Sequence, residues 1–248
     1  MALAEHVLEA GVVSVQALAN HFGVTRMTIY RDVGELETSG VLFLRQGAAV
    51  AGSSSFTETT STFRSTLNRQ AKVALCQVVR GFIRPGSTVM LDDSSTVIPL
   101  VAMLAEQAPI TIITHSQRVA VEAARFPQLR LFVTGGSYRP SFDSYSGETT
   151  IRTLRSTTAD FCVMSSTAIA GGVLYHPFEE NVAVKRAMME QARITILLAD
   201  SSKFGHWATH RVASVDDFDH IVLHGQIAPV ELDALAECHL LRADDVVG

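Results

Sequence analysis

Six short apolar runs, rich in β-branched residues, recur between residues 87 and 223: STVML (87–91), ITII (110–113), LRLFV (129–133), DFCVM (160–164), ITILLA (194–199) and HIVL (220–223). Longer stretches of helical character separate them. Apolar strands of this length alternating with helices predict an α/β domain, its mostly parallel sheet covered by helices on both faces. In such an open sheet, ligands gather at the carboxyl ends of the strands. The loops after those runs are therefore where the chemistry is expected.

Those loops are polar. STVML is followed by Asp92-Asp93-Ser94-Ser95-Thr96, opening a helix near Val97. Hydroxyls and free backbone N–H groups at a helix start, aided by its dipole, suit an anion or phosphate. A plain N-cap role for Ser94 or Ser95 fits equally well. ITII leads to Thr114-His115-Ser116, and LRLFV leads to Thr134-Gly135-Gly136-Ser137-Tyr138 and then Ser146-Gly147-Glu148. Glycines there allow close approach of backbone to a ligand, or simply a turn. ITILLA is followed by Asp200-Ser201-Ser202-Lys203-Phe204-Gly205, which sets a cation beside a strand end. Lys185, on the preceding helix, can face the same crevice, although surface lysines are usually solvated.

The first fifty residues follow a different pattern. Val15, Leu18, Ala19 and Phe22 fall at i, i+3, i+4 and i+7 behind Ser14, a natural N-cap, and Gly23-Val24 supplies a turn. Thr25 then caps a second helix with Ile29, Val33 and Leu36 inward and Met27, Thr28, Tyr30, Arg31 and Gly34 outward, before a small hairpin ending near Val50. This spacing fits any αα-hairpin. It also fits a winged helix-turn-helix, which sets its second helix against base edges, where Arg takes guanine bidentately, Thr touches a thymine methyl and Tyr reaches phosphate. Charge does not decide between the two. Glu5, Glu9, Asp32, Glu35 and Glu37 outnumber Arg26, Arg31 and Arg45, so residues 1–50 carry no basic footprint.

Composition narrows the class. With 248 residues, 47% of them hydrophobic and 18% charged, the chain reads as a globular protein of two domains. The net charge of -5 excludes nonspecific polyanion binding as its main task. Cys76, Cys162 and Cys238 are odd in number and have no C-x-x-C partner, which supports neither a disulfide framework nor a zinc site and fits a reducing cytoplasm. The start, MALAEHVLEAG, has no basic n-region or long apolar h-region, and no apolar run approaches the roughly 20 residues that span a bilayer. Residues 51–63, AGSSSFTETTSTF, read as a linker between domains 1–50 and 64–248.

The stretch GVTRMTIYRDVGELETSGVLFLRQGAAV resembles the winged helix-turn-helix of the DeoR family of bacterial sugar-metabolism regulators, whose signature runs V-S-x-x-T-I-R-R-D-L, then L-E-x-x-G and a wing ending near H-G-G-A. Val24, Thr28, Ile29, Arg31, Asp32, Leu36, Glu37 and Gly40 match it. Thr25 replaces Ser, Tyr30 replaces the first Arg, and Gln46-Gly47-Ala48 replaces His-Gly-Gly. The resemblance implies DNA contacts from Thr25, Arg26, Met27, Thr28, Tyr30, Arg31 and Arg45, with an operator that need not match a relative's. It continues through the second domain. D-x-G-T-T resembles Asp92 to Thr96, T-N-S resembles Thr114 to Ser116, G-G with S-x-x-G resembles Gly135, Gly136 and Gly147, V-K-R resembles Val184-Lys185-Arg186, and D-S-S-K-F stands at 200–204. The counterpart of this domain in the family is a sensor related in fold to ribose-5-phosphate isomerase and coenzyme A transferases.

The resemblance implies a repressor of a carbohydrate or polyol operon that binds operator DNA as a homodimer or homotetramer and needs no cofactor or metal. A phosphorylated sugar or related polyol would be sensed by Asp92, Ser94, Ser95, Thr96, His115, Gly135, Gly136, Gly147, Thr167, Lys185, Asp200 and Lys203. Where the family has Gly-x-Asp-Gly, this chain reads Ser165-Ser166-Thr167-Ala168. An isomerase of this fold needs a carboxylate as general base, which a hydroxyl cannot replace at neutral pH. No catalytic residue is therefore expected. Ser94 in place of Gly and His115 in place of Asn add bulk and point to an effector other than a common hexose phosphate. The alternatives are an isomerase-like or transferase-like enzyme with an accessory helical domain, for which Glu148 and Glu179 are candidate nucleophiles, and a helical head that binds protein instead of DNA.

Overall fold

In the computed structural model the described residues are 2–38, 42–51, 64 and 67–244. The chain divides into two units, Met1–Leu67 and Asn68–Gly248. Residues 52–63 of the expected linker, and Gly40 of the L-E-x-x-G element, lie outside the described residues.

The first unit is built from α1 (Ala2–Ala10), β1 (Val12–Ser14), α2 (Val15–Phe22), α3 (Arg26–Thr38), β2 (Leu42–Arg45) and β3 (Ala48–Ala51). Ser14 Oγ accepts from Ala17 N at 3.1 Å and so caps α2. Gly23 ends that helix in the left-handed region, at φ 64°, with the Val24 N–H on the Ala19 carbonyl at 3.0 Å. Between β2 and β3 the chain reverses at Gln46 and Gly47, both with positive φ, as a two-residue hairpin turn demands. β3 pairs antiparallel with both β2 and β1. Val15, Leu18, Ala19, Ile29 and Val33 close on Leu42 and Ala49 of the wing. Leu3, Ala4 and Val7 of α1 complete this core. The sequence reading had not assigned α1 a role.

The second unit runs α4 (Arg69–Arg80), β4 (Thr88–Leu91), α5 (Ile98–Ala105), β5 (Ile110–Thr114), α6 (Gln117–Ala123), β6 (Leu129–Val133), β7 (Ser137–Arg139), β8 (Ser144–Ser146), α7 (Glu148–Arg155) and β9 (Ala159–Ser165). It continues through β10 (Ala168–Ala170), β11 (Val173–His176), α8 (Glu179–Glu190), β12 (Ala192–Asp200), β13 (His210–Ser214), β14 (His220–His224), α9 (Pro229–Asp233) and β15 (Leu240–Arg242). Seven strands form one parallel sheet in the order β15-β14-β12-β9-β4-β5-β6. Each of the six apolar runs is one of these strands, and β15 adds an edge.

Alternate side chains of the sheet face opposite layers, which is why the central runs are apolar throughout, whereas the edge strand β6 leaves Leu131, Phe132 and Val133 exposed. Val89, Leu91, Ile112, Val163, Ile196 and Leu198 pack with α4, α5 and α6. Met90, Ile113, Cys162, Met164, Leu197 and Ala199 pack with α7 and α8. From β4 the chain moves outward through β5 to β6, whereas from β9 it moves the other way through β12. The order therefore reverses between β4 and β9, and that switch point is where an open sheet leaves a crevice. Two small antiparallel sheets, β7-β8 and β10-β11-β13, are further additions to the sequence reading.

Leu18 is fully buried in the first unit's core. Leu18→Ala is expected to destabilise that unit by about 2–5 kcal/mol, read from denaturant unfolding.

Candidate DNA-reading face and effector pocket

In the first unit, α3 buries Ile29 and Val33 and presents the opposite face to solvent. Met27 is 75% exposed and Tyr30 41%. Thr25, Arg26 and Arg31 are exposed with them, and Thr28 is half-buried. Thr25 Oγ1 accepts from Thr28 N at 3.2 Å and caps the helix start. Arg31 meets Asp32 at 3.2 Å in an exposed pair, a contact weak enough to be exchanged for a ligand. On the wing, exposed Arg45 stacks over Phe43 at 5.7 Å.

In the second unit, the loop after β4 is folded around its own first residue. Asp92 Oδ1 accepts from Ser94 N at 3.1 Å and from Ser94 Oγ at 2.6 Å, while Oδ2 accepts from Ser165 N at 3.2 Å across the switch point. Lys185 reaches Asp92 Oδ2 from α8, lies 3.6 Å from Asp93 Oδ1, and donates to the Ser165 carbonyl at 3.1 Å. Ser95 Oγ accepts from Lys72 Nζ at 3.0 Å, and the Thr96 carbonyl accepts from Cys76 Sγ at 3.2 Å. The helix begins without a side-chain cap, so neither Ser94 nor Ser95 is the N-cap that was the equal alternative. Burial pushes the Cys76 thiol up to about 12, which keeps it a neutral donor.

Asp93, absent from the sequence-based set, is engaged on both oxygens. Its Oδ2 accepts from Asn181 Nδ2 at 2.8 Å and Ser144 Oγ at 3.3 Å. Its Oδ1 faces Lys185 and His115 Nε2, the latter at 3.7 Å. Burial alone would raise the Asp93 carboxyl, but the Lys185 ammonium and the His115 and His176 imidazoles outweigh it and hold the group well below the usual carboxylate range. Lys72 and Asn181 were also missed. Lys72 left a signal, a charged residue on the same stripe as Ala71, Leu75, Cys76 and Val79 of α4.

Asp200, at the end of β12, accepts from Ser202 N at 3.0 Å and from Asn68 Nδ2 at 3.1 Å. Burial raises its carboxyl, and the Lys203 charge, the Ser202 hydrogen bonds and Lys72 more than reverse that. Lys72 thus faces both Ser95 and Asp200, joining the two loops. Gly135, Gly136 and Gly147, all with positive φ, bracket the β7-β8 hairpin rather than line the Asp93 cluster. A Cβ on Gly136 would lie 2.1 Å from Thr150 Oγ1 and 2.8 Å from the Ser146 carbonyl, so glycine is required there for packing. The hairpin lies over the strand ends: Tyr145 N donates to the His115 carbonyl at 2.8 Å, and Arg139 clasps Glu180 of α8 at 2.7 and 2.9 Å. Thr167 is half-buried in the turn between β9 and β10. Glu148 and Glu179 are both exposed.

An exposed helical reading face and a buried polar crevice at a sheet's switch point define a ligand-responsive regulator. The DeoR C terminal sensor domain matches residues 67–224 and the DeoR-like helix-turn-helix domain matches residues 1–55, and the chain belongs to the DeoR family. It is a DNA-binding transcriptional regulator, not an enzyme. Among its relatives are the uncharacterized HTH-type transcriptional regulator YgbI of Escherichia coli, 28% identical over 88% of this chain and 86% of that protein, and the glycerol-3-phosphate regulon repressor of the same species, 27% identical over 95% and 94%. The transcriptional repressor AccR of Agrobacterium fabrum is 28% identical over 84% and 82%. Among solved structures, ribose 5-phosphate isomerase A of Methanocaldococcus jannaschii superposes on 55% of each chain with a TM-score of 0.42 at 14% identity. Among the described residues no helix is long and apolar enough to cross a membrane.

Because Lys185 answers two buried carboxylates, Lys185→Ala is expected to destabilise the second unit by about 3–5 kcal/mol in urea unfolding. Asp93, with its folded pKa depressed, contributes stability that is present above the ordinary aspartate value and lost as pH falls toward the depressed one. The Asp93 contribution to the unfolding free energy should therefore be lost on acidification below about 4, and Asp93→Asn should flatten the acid slope measured across pH.

Proposed function

We propose that this chain is a cytoplasmic repressor of a carbohydrate or polyol operon, released from or fixed on its operator by a phosphorylated sugar or polyol bound at the carboxyl ends of β4, β5, β9 and β12. In this reading residues 1–50 are the DNA-binding head, 51–63 the connector and 64–248 the sensor. The observation that carries it is the polar crevice at the switch point. Asp92, Ser94, Ser95, Thr96, His115, Lys185 and Asp200 gather at these strand ends, all largely buried, above a sheet whose layers are mostly apolar. Lys203, Thr167 and the glycines 135, 136 and 147 belong to the rim of the same site.

Arg26 and Arg31 supply phosphate and guanine contacts, Thr25, Thr28 and Tyr30 contact backbone or thymine, Met27 packs in the groove, and Arg45 follows the backbone from the wing. Operator symmetry mirrors protein symmetry, so the active form is a homodimer or a homotetramer. The glycerol-3-phosphate regulon repressor among the relatives supports a phosphorylated polyol as effector.

The test is binding of the purified chain to its own upstream intergenic DNA at fixed salt, with and without a panel of sugar and polyol phosphates. Saturable, sequence-specific binding altered by a panel member is the expected result. Arg31→Ala should weaken that binding by about 1–3 kcal/mol while leaving effector affinity unchanged. DNA affinity unaffected by Arg31→Ala would remove α3 as the reading face.

A further inference from the structure

The polar groups at the strand ends fall into two sets. Lys72, Ser95, Asp200 and Lys203 gather around the end of β12, and this set has the excess of positive charge. Asp93, His115 and Asn181 gather around the ends of β4 and β5, where Lys185 is already committed to the two aspartates.

In the second set three atoms are buried without a hydrogen-bond partner: His115 Nδ1, His115 Nε2 and Asn181 Oδ1. Their residues are only 1% and 3% exposed. The Nε2 distance to Asp93, 3.7 Å, is too long for a hydrogen bond. Folded chains satisfy almost every buried polar atom, so three orphans on two residues that flank one carboxylate mark a place that a ligand or ordered water completes.

Their chemistry selects the ligand. The Asn181 amide nitrogen is held by Asp93 Oδ2, which fixes the amide orientation and leaves Oδ1 as an acceptor. A neutral imidazole offers one donor and one acceptor. The complement is a group that both donates and accepts, and a pair of adjacent hydroxyls serves Asn181 Oδ1 and one imidazole nitrogen, the nitrogen on the far edge of the ring being left to water. An ionised phosphate or carboxylate only accepts, and here it would face Asp93 and the Asn181 oxygen.

We propose that Asp93, His115 and Asn181 form a hydroxyl-reading wall that takes two adjacent hydroxyls of a phosphorylated sugar or polyol, whose anionic group lies toward Lys72, Ser95 and Lys203. The proposal rests on the reading of this crevice as the effector pocket. Asp93 is a positioning residue in it, since both its oxygens are engaged by the protein and its task is to hold Asn181 and face His115. Specificity follows directly. A site built to hydrogen-bond a hydroxyl rejects the analogue that lacks it far more strongly than an apolar pocket rejects a missing methylene.

The test is calorimetric titration of the full chain with inorganic phosphate and with matched pairs: ribose 5-phosphate and deoxyribose 5-phosphate, glucose 6-phosphate and deoxyglucose 6-phosphate, glycerol 3-phosphate and propanediol phosphate. The wild-type chain is expected to bind the hydroxylated member of at least one pair about tenfold or more tightly than its deoxy partner. His115→Phe and Asn181→Leu, with folding checked by circular dichroism, should each collapse that ratio and leave inorganic phosphate binding unchanged. Equal wild-type affinities within every pair, or a ratio retained in both variants, would overturn the wall and leave its orphan atoms to water. Phosphate binding without sugar-phosphate binding would overturn the wall alone. A wild-type chain that binds neither would remove the effector-pocket reading beneath it.

Discussion

The ammonium of Lys185, set among Asp92, Asp93 and the Ser165 carbonyl, is the contact on which the second unit's strand ends depend. Two carboxylates in a crevice sealed from water repel each other and lose their hydration, and neither can stay charged without a cation and hydrogen bonds. The chain supplies both. Asp92 takes its remaining bonds from the loop it begins and from β9, and Asp93 takes its own from α8 and the β7-β8 hairpin. One lysine thereby ties together two central strands, a helix and a hairpin. A buried ion cluster is a poor source of net stability compared with apolar packing of the same volume, so its retention fits positioning better than strength.

Position in the sheet explains why the cluster forms there. Inside the layers the strands need only apolar residues, and the runs from Val89 to Leu91 and from Ile196 to Ala199 supply them. At the carboxyl ends the backbone diverges, because β5 and β12 leave the switch point in opposite directions. Polar side chains from α4 and α8 meet the loops after β4 and β9 there. The asymmetry of the crevice, cationic toward β12 and acceptor-rich toward β5, arises from those two helices as much as from the loops themselves.

This division decides what the sequence could reveal. Strand positions were legible because six apolar runs separated by helices leave a parallel sheet as the natural solution, and the loops after them were legible because ligand sites follow strand ends. In the head, the cap at Ser14, the turn at Gly23 and the inward set Ile29, Val33 and Leu36 were legible from a helical period of 3.6. The three-residue strands β7, β8 and β10 were not, since a period of two cannot be read from three residues. Asp93 stood at a variable place in the loop motif, and Lys72 and Asn181 belong to helices 21 residues before it and 88 after it, joined to it only by tertiary packing. Hydroxyls at 94 and 95 pointed equally to capping and to ligand binding until their partners, Asp92 and Lys72, were seen.

The same contacts rank the parts of the pocket by how readily they give. The Arg139–Glu180 clasp is solvent-exposed on both sides, where such pairs are typically worth about 1 kcal/mol or less. The Lys185 cluster is buried, and breaking it leaves uncompensated charge. The clasp is therefore the weaker contact, and the hairpin it holds, bracketed by Gly135, Gly136 and Gly147, gives more readily than the aspartates. A ligand that completes His115 and Asn181 stabilises whichever arrangement holds them in place, and it can change DNA affinity only by as much as its own affinity differs between the two arrangements. In the reading proposed above, the same atoms left unpaired penalise the unliganded arrangement, so recognition and coupling draw on one set of residues.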